Sequence, residues 1–515
     1  MYKNESRLQA SITVFASLSL LLVASVLLVL LEAARVKGLD AYSRMQRVNA
    51  MESVFSEYDR DLFERYGIFL LGGNYGGQSL QLSQINGRLQ AASQQNLRPV
   101  IAGQTWRNVQ NFYQMDVTDA SVTGYLLATD YEGAPFRKMA AEAMKVRCPA
   151  ELVQKLYGGL QSADRAMSQA EQSRSAMDQA QEDIRMAKEE QARAAASEAA
   201  AGEPTDQQQS VPEEAVEPQV ENPMDVVKAL KETDILTLVL PPGSAVSAKS
   251  IQGKQTLEHR QLLQGNERWQ KTDSWHEKVL YQMFLQTQFA CYEAGSSGEG
   301  ALDYELEYIH AGKKTDRDNL KCVVQQMLLL REGANFMYLQ TDAVKQQEAY
   351  SVATAVAAAV GIAPAAGLIA QGILAAWAYA ESILDVRTLL TGGKIAWMKT
   401  ADSWCSSLSG IGGLMAGGAR AKEQESGENY QGYLQKLLWL NSARALNYRA
   451  MDLMELRAAM NGDQTIQMDA MILALRADIS YEAESLFSDL VTIQRFETAR
   501  WEFSESVYYS YFPEQ

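Results

Sequence analysis

Histidine is the scarcest titratable residue of this chain: His259, His276 and His310 stand far apart, without the spacing that a zinc site needs. Cysteine is nearly as scarce. Cys148, Cys291, Cys322 and Cys405 form no CxxC pair, and their positions leave two disulfides, free thiols or a mixture open. Clusters of Lys and Arg are missing too. With a formal charge of −16 and no basic cluster, the chain is a poor ligand for nucleic-acid phosphates. There is no GxSxG, HExxH or P-loop, and no convincing SxxK. GGNYGG (72–77) lacks the lysine and following helix of a phosphate loop and reads as a flexible turn, as does TGGK (391–394). SGIGGLMAGG (409–418) reads as a mobile loop or a close-packing stretch. Glu305 and Glu307 alternate on one face of a possible strand, which is the pattern of a solvated face more than of a catalytic pair. His310, beside Lys313 and Lys314, has no nucleophile partner in sequence. The sequence therefore nominates no catalytic residue, no cofactor-binding residue, no metal ligand, no cofactor and no small-molecule substrate.

What is present is apolar. Residues 12–31, ITVFASLSLLLVASVLLVLL, run for 20 positions without a charge. As a helix this run spans about 30 Å, the thickness of a bilayer core. A cleaved signal peptide is the competing reading, but h-regions are usually shorter, and Glu32 spoils a small-residue cleavage site at LEAARV. The run reads as a retained single-span anchor in the lipid bilayer. Lys3 and Arg7 precede it, and Arg35, Lys37, Arg44 and Arg47 follow it. Counting cations alone turns the C-terminal side toward the cytoplasm.

No proline occurs between Leu31 and Pro99. Val36, Leu39, Met45, Val48, Met51, Phe55, Tyr58, Leu62 and Tyr66 recur at spacings of mostly three and four, the period of an amphipathic helix. One helix from about Ile12 to Tyr66 is expected, ended by Gly67. Its first half would sit in lipid and its second half along a soluble domain, which is the shape of pilin-like proteins. IFLL (68–71) reads as a short buried strand.

Further on, 79–95 suggests a polar helix, 114–130 one or two strands, and PFRKMAAEAMKVR a helix with proline in its first turn. From Leu156 to about Ala200 a seam of mostly alanine (Ala163, Ala166, Ala170, Ser173, Met177, Ala180, Ile184, Ala187, Ala194) argues for a long helix, a coiled-coil arm or hairpin. Residues 201–223 hold four prolines and six acidic residues with no Lys or Arg, and should be disordered. MDVVKALKE reads as a short helix and ILTLVLPP as a strand. Helical patterns follow at 257–270 and 273–293, LDYELEYIHAG suggests a strand, and Asp316 an N-cap for a helix through Tyr338. Residues 349–380 carry no charge and read as a buried helical hairpin, with a second membrane span as the alternative. Residues 428–460 read as one or two helices. ALRADISYEAE and WEFSESVYYSYF alternate as strands, with Trp501, Phe503, Val507, Tyr509 and Tyr511 on one face. These strands could pair with those near 68–71 and 114–130.

The fold class expected is α+β and mostly helical. A long N-terminal membrane-spanning helix continues into a soluble domain with a small antiparallel sheet, and a helical coil arm is added. The divisions are 1–11, a polar tail; 12–31, the transmembrane helix; 32–148, helix extension and first part of the α+β domain; 149–200, the arm; 201–223, the acidic linker; and 224–515, a mainly helical region with C-terminal strands.

The stretches SITVFASLSLLLVASVLLVLLEAARVKG and SVFSEYDRDLFERYGIFLL resemble an uncharacterised family of single-span membrane proteins from Gram-positive anaerobes. LDYELEYIHAGKKTDRDNL, LLLREGANFMYLQTD and AWAYAESILDVRTLLTGGKIAWMKTADSW are similar to it as well. Members are typically encoded beside Tad/Flp pilus and type II secretion-like genes. The span and its LEAAR exit also resemble TadE/TadG-like pilus proteins, although residues 12–31 lack the glutamate that type IV pilins place early in this run. The resemblance implies an extracytoplasmic C-terminal region and other pilus or secretion-apparatus proteins as partners, and it implies no activity. The function expected is a non-catalytic structural or assembly component. A cytoplasm-facing adaptor using the coil arm is the alternative, and an envelope hydrolase would rest on unassigned carboxylates alone.

Overall fold

The computed structural model describes residues 2–77, 79–97, 100–101, 104–105, 113–201, 222–251, 256–270, 274–294, 300–487 and 500–512. Most of the acidic linker at 201–223 therefore lies outside the described residues. The chain divides into two compact units, Met1–Met139 with Gln261–Thr272 and Gly462–Gln515, and Ala140–Arg260 with Asp273–Asn461.

The first unit is built on α1 (Tyr2–Phe55). The single helix expected to Tyr66 stops earlier. Asp59 caps a separate short helix, α2 (Arg60–Tyr66), its carboxylate accepting the Leu62 N–H at 2.9 Å. The Asp59 N–H meanwhile bonds the Leu70 carbonyl at 2.8 Å, so the chain has already turned back on itself. Gly67, in the left-handed region at φ 70°, ends α2 as expected. Of IFLL only Leu71 enters a strand, β1 (Leu71–Gly72). Then come α3 (Leu82–Asn96), a separate two-stranded ribbon of β2 (Val100–Ile101) and β3 (Gln104–Thr105), and the long strand β4 (Met115–Leu127). The C-terminal strands β5 (Met471–Glu484) and β6 (Arg500–Ser510) complete an antiparallel sheet, as the alternation foretold. β5 is its centre. β4 pairs along one edge, with Ala120 opposite Ile479; β1 and β6 share the other, with Leu71 opposite Ile472 and Phe503 opposite Tyr481. Leu475, Ala477, Ile479, Tyr481 and Ala483 face the core, where they meet Leu39, Met51 and Val54 of α1 and Ile85 and Leu89 of α3.

The second unit is helical. α4 (Asp130–Lys145) enters it after three left-handed residues, Tyr131, Glu132 and Gly133. α5 (Ala150–Ala201) is the long helix expected. Its small-residue seam is filled by the same chain: Ala163, Ala166, Ala170, Ser173, Met177, Ala180, Ile184 and Ala187 are buried, and α5 packs on two later helices. It is a core helix, not a projecting coil arm. The helices α6 (Pro223–Glu232) and α7 (Ile235–Val239) follow; the second replaces the strand expected at ILTLVLPP, because a five-residue apolar run, exposed only at Thr237, carries no usable period. Residues 257–270 are not helical, whereas α8 (Trp275–Gln288) is. LDYELEYIHAG holds α9 (Glu305–Ala311), ended by left-handed Gly312, and not a strand. Every residue from Glu305 to His310 is buried, which erases the one-sided pattern of a surface helix. Thr315, one residue before Asp316, caps α10 (Asp316–Leu339). The uncharged stretch forms a hairpin, α11 (Ala343–Ala359) and α12 (Ala366–Leu390), with α12 almost wholly buried between α5, α10 and α11. α13 (Tyr430–Leu440) and α14 (Ala443–Met460) close the unit. At Gly333 of α10 a Cβ would lie 1.8 Å from the Ala166 carbonyl oxygen, so α5 and α10 are in backbone contact.

Candidate functional site

The surface feature that stands out is α1. From Ile12 to Leu31 its large side chains are bare, with Phe15 73% and Leu20 71% exposed, whereas soluble domains rarely leave such a contiguous apolar surface uncovered. This helix is long and apolar enough to cross a membrane, and a signal sequence would meet the same test. The helix 363–390 passes on length and composition as well, but 83% of its apolar window is buried inside the protein, which is the position of a core helix.

At the end of the apolar run the same helix is clamped to the sheet by charged groups that the sequence reading had treated only as flanks. Glu32, nearly buried, accepts the Phe487 N–H at 3.0 Å and the Trp501 indole N–H at 2.9 Å. Arg35 donates to the Glu484 carbonyl and to the Tyr113 carbonyl, each at 2.8 Å. About three turns further, Arg47 is buried and donates to the carbonyls of Ile479 (3.0 Å) and Phe503 (2.7 Å). Burial draws its guanidinium pKa down, and Glu505 at 3.3 Å opposes the shift. Charge-assisted bonds of this kind are the strong ones, so the apolar segment leaves unit one as a fixed shaft and not as a tether. Part of the aromatic face of β6 lies under this helix: Phe55 meets the rings of Tyr509 and Tyr511, each at 4.8 Å.

The carboxylates singled out in the sequence are buried on α9. Glu305 takes Arg457 Nε at 2.8 Å and the Ala290 N–H at 3.0 Å. Glu307 accepts the Tyr430 hydroxyl (2.7 Å) and the Tyr292 N–H (2.9 Å) and has no cation partner there; burial lifts its pKa to about 7. They are structural anchors in a packed interior, not a solvated pair. His310 sits between the Gln326 side-chain oxygen (2.9 Å) and the Asn441 amide (3.0 Å), and burial pushes its pKa down to about 4, so it is neutral at physiological pH. All four cysteines are free; Cys291 is buried and Cys405 is exposed. Among the described residues no group of His, Cys, Asp and Glu is arranged to hold a metal ion. GGNYGG does form a turn, but a pinned one: the Asn74 amide donates to the carbonyls of Gly77 (3.0 Å) and Thr465 (2.6 Å). SGIGGLMAGG is largely a 3-10 helix whose Leu414 carbonyl accepts Arg387 at 2.7 Å.

Sequence reading missed a buried ion cluster, because its members are spread over three segments. Arg331 of α10, Glu381 and Asp385 of α12 and Lys399 are all without solvent exposure. Lys399 lies 2.6 Å from Glu381 and 2.7 Å from Asp385, and Arg331 lies 2.9 Å from Asp385. Arg331 also donates to the carbonyl of Trp397 and the hydroxyl of Tyr433, while Glu381 accepts the backbone N–H groups of Cys405 and Ser406. Burial would raise the Asp385 pKa, but Arg331 and Lys399 outweigh it and hold it below the ordinary value. Two cations and two anions cancel, and the cluster ties the loop 396–406 onto α10 and α12. Two clefts open elsewhere on this unit, of about 890 Å³ beside Arg174, Lys231 and Tyr379 and about 610 Å³ beside Tyr292, Glu293 and Tyr304. The second is also lined by Ser247, whose hydroxyl donates to the Asp316 carboxylate at 2.6 Å.

The fold and the exposed helix thus define a mostly helical α+β chain with an N-terminal apolar helix. The chain belongs to DUF5702, a family of unknown function, whose pattern matches residues 213–483, just over half of its length. The match begins after α5, covers α6 to α14 and ends in β5. No curated protein and no solved structure matches the chain.

Proposed function

We propose that this chain is a membrane-anchored, non-catalytic structural or assembly component of an envelope apparatus of the Tad/Flp pilus or type II secretion-like kind, with its two units outside the cytoplasm. The observation that carries the reading is the unbroken helix α1, bare and apolar at one end and bolted to an antiparallel sheet at the other. A tether needs no such bolting; a component that transmits or resists force does. The pilin-like shape supports the pilus assignment, and the absence of an early glutamate argues that the chain is held in the membrane rather than processed as a pilin.

A cytoplasm-facing adaptor is the second reading, favoured by the cations after the apolar run. That count weakens on inspection. The side chains of Arg35 and Arg47 are 9% and 2% exposed and serve the sheet, so their presence has a structural cause independent of topology. The long helix α5, which the adaptor was to use, has its seam covered by the chain itself.

Cys405 is the natural reporter of sidedness, being the exposed thiol on the helical unit. Intact cells treated with a membrane-impermeant maleimide should label Cys405, a Cys405→Ser variant should lose the label, and the protein should stay with membranes through an alkaline carbonate wash. Labelling only after lysis transfers the assignment to the adaptor, and release by carbonate removes the anchor.

A further inference from the structure

Where α1 enters the first unit, its hydrogen bonds fix a level. Leu31 ends the bare apolar run, and Glu32, the next residue, accepts the Phe487 N–H at 3.0 Å and the Trp501 indole N–H at 2.9 Å. One turn on, Arg35 donates to the Tyr113 and Glu484 carbonyls. Tyr113 stands just before β4, Glu484 is the last residue of β5, and Trp501 is the second of β6. One end of the sheet is therefore gathered around the first turn of α1 beyond Leu31. β6 then runs alongside α1 in the same direction: Trp501 meets Glu32 at one end, and Tyr509 and Tyr511 meet Phe55 at the other. The strand stands along the helix, end-on to the plane at which the apolar run stops.

A hydrocarbon core is about 30 Å thick and a whole bilayer about 40–45 Å, which leaves a headgroup layer of about 5–7 Å on each face. From Glu32 to Arg35 the helix rises about 4.5 Å. With residues 12–31 in hydrocarbon, Glu32, Arg35 and the groups bonded to them fall at the depth of that layer. A typical helix tilt of about 20° moves a group about 10 Å off the axis by about 3 Å, less than the layer's thickness. The register is held from both sides. Raising the chain by one turn draws Leu28, Val29, Leu30 and Leu31 into water, and lowering it by one turn carries the Glu32 carboxylate and the Arg35 guanidinium into hydrocarbon.

The side chains at this end suit the same depth. Trp501 is 37% exposed while its N–H is held by Glu32, so it shows an apolar ring and keeps its polar point satisfied, as tryptophans at membrane interfaces do. Phe487 is half-buried beside it on the same carboxylate. Lys37 is exposed and, among the described residues, pairs with no carboxylate. Helical side chains lean toward the N-terminus, which here is toward the apolar run, so the Lys37 ammonium can reach a phosphate.

We propose that this end of the sheet is a lipid-binding surface, seated in the headgroup layer of the bilayer that holds residues 12–31. Trp501 is its interfacial anchor and Lys37 its phosphate contact. The first unit then stands on the membrane without a stalk, with β6 upright and the Glu32 clamp at the boundary between lipid and protein. The seat presupposes the membrane anchor proposed above and adds a second lipid contact, made by the C-terminal strands.

The test uses the full chain in phosphatidylcholine–phosphatidylglycerol vesicles, with the photoreactive residue p-benzoylphenylalanine replacing Trp501 or Tyr508. Tyr508 is the control: it is 45% exposed but lies about 23 Å further along β6. On illumination the replacement at Trp501 should yield at least tenfold more lipid adduct by mass spectrometry than the replacement at Tyr508. In the chain without the photoreactive residue, a nitroxide on the phosphatidylcholine headgroup should quench part of the tryptophan emission. Trp501→Phe should remove much of that quenching with the far-ultraviolet circular dichroism unchanged. A chain that stays in the vesicles through an alkaline carbonate wash yet gives equal adduct at both positions, or quenching indifferent to Trp501→Phe, overturns the seat and leaves the anchor standing. Release by carbonate overturns both. Adducts from the Trp501 position to a second copy instead of lipid overturn the seat in favour of a protein contact.

Discussion

Glu307 offers the sharpest check on the helical unit, because its predicted effect has a sign as well as a size. The carboxyl is fully buried, is bonded by one hydroxyl and one N–H, and has its pKa raised from 4.5 to about 7 by burial. Below pH 4.5 it is protonated whether the chain is folded or not, and it then costs the fold nothing electrostatic. Between pH 4.5 and 7 the unfolded chain ionises it and the folded chain does not. The folded state holds the extra proton, so stability falls as pH rises, and the loss is complete above pH 7. A raise from 4.5 to about 7, at about 1.4 kcal/mol per unit, corresponds to a loss of about 3 kcal/mol. Glu307→Gln keeps an acceptor for Tyr430 and Tyr292 and removes the titration. Urea unfolding of both proteins, followed through the tryptophans of this unit such as Trp377 and Trp404, gives the difference in stability at each pH. His310 works in the opposite direction between pH 4 and 6.5, and Asp452, raised to about 7 by burial, works in the same direction as Glu307. Both are common to the two proteins and cancel in the difference. The variant should gain about 3 kcal/mol relative to the parent between pH 4.5 and pH 8. A difference that stays flat across that range refutes the buried, uncompensated carboxyl.

Three further substitutions address the packing. Gly333→Ala places a methyl group against the Ala166 carbonyl oxygen of α5, which can yield only by parting the two helices; a loss of about 3 kcal/mol or more in urea unfolding is expected, against little for Gly367→Ala, which meets open space. Lys399→Met leaves Glu381 and Asp385 with one buried cation between them and should cost about 3–5 kcal/mol, partly recovered when Glu381→Leu is added. Arg47→Ala removes the bonds to the Ile479 and Phe503 carbonyls and should speed amide exchange throughout β6 while leaving α12 unchanged. Equal exchange in β6 with and without Arg47 would show that the shaft is held by apolar packing alone.

How much of this was written legibly in the chain depends on how each element is buried. Elements with one wet side announced themselves. β5 shows its alternation, Met471–Glu484, and found the partners that its pattern called for; α1 showed an unbroken apolar run before Leu31 and its helical period after it. Elements buried all round did not. α9 is buried from Glu305 to His310 and α7 is five residues exposed only at Thr237, so neither is marked by a one-sided polar pattern, and both were read as strands. The end of α1 was missed for a different reason. Tyr58, Leu62 and Tyr66 continue the helical spacing through a turn that Asp59 creates by capping, and periodicity counts residues without seeing a change of direction. The ion cluster was illegible for a third reason: Arg331, Glu381, Asp385 and Lys399 meet only after α10 and α12 have packed.

That last point bears on function. Buried carboxylates in a chain of unknown activity invite a catalytic reading, since perturbed acids gather at active sites. Here each carboxylate has a structural partner, group by group. Glu305 is held by Arg457, Glu381 and Asp385 by Lys399 and Arg331, and Asp316 by the N–H groups of Asp303 and Tyr304 together with the Ser247 hydroxyl. A general acid or base must keep one lone pair or proton free toward a substrate. These carboxylates spend theirs on backbone and on fixed cations, which is how a protein holds irregular loops against helices without a larger apolar core. Glu307 and Asp452 have pKa values raised to about 7 by burial, and each is bonded by a tyrosine hydroxyl, Glu307 by Tyr430 and Asp452 by Tyr308. The polar interior of the helical unit therefore ties irregular loops to helices, which fits the structural role proposed above.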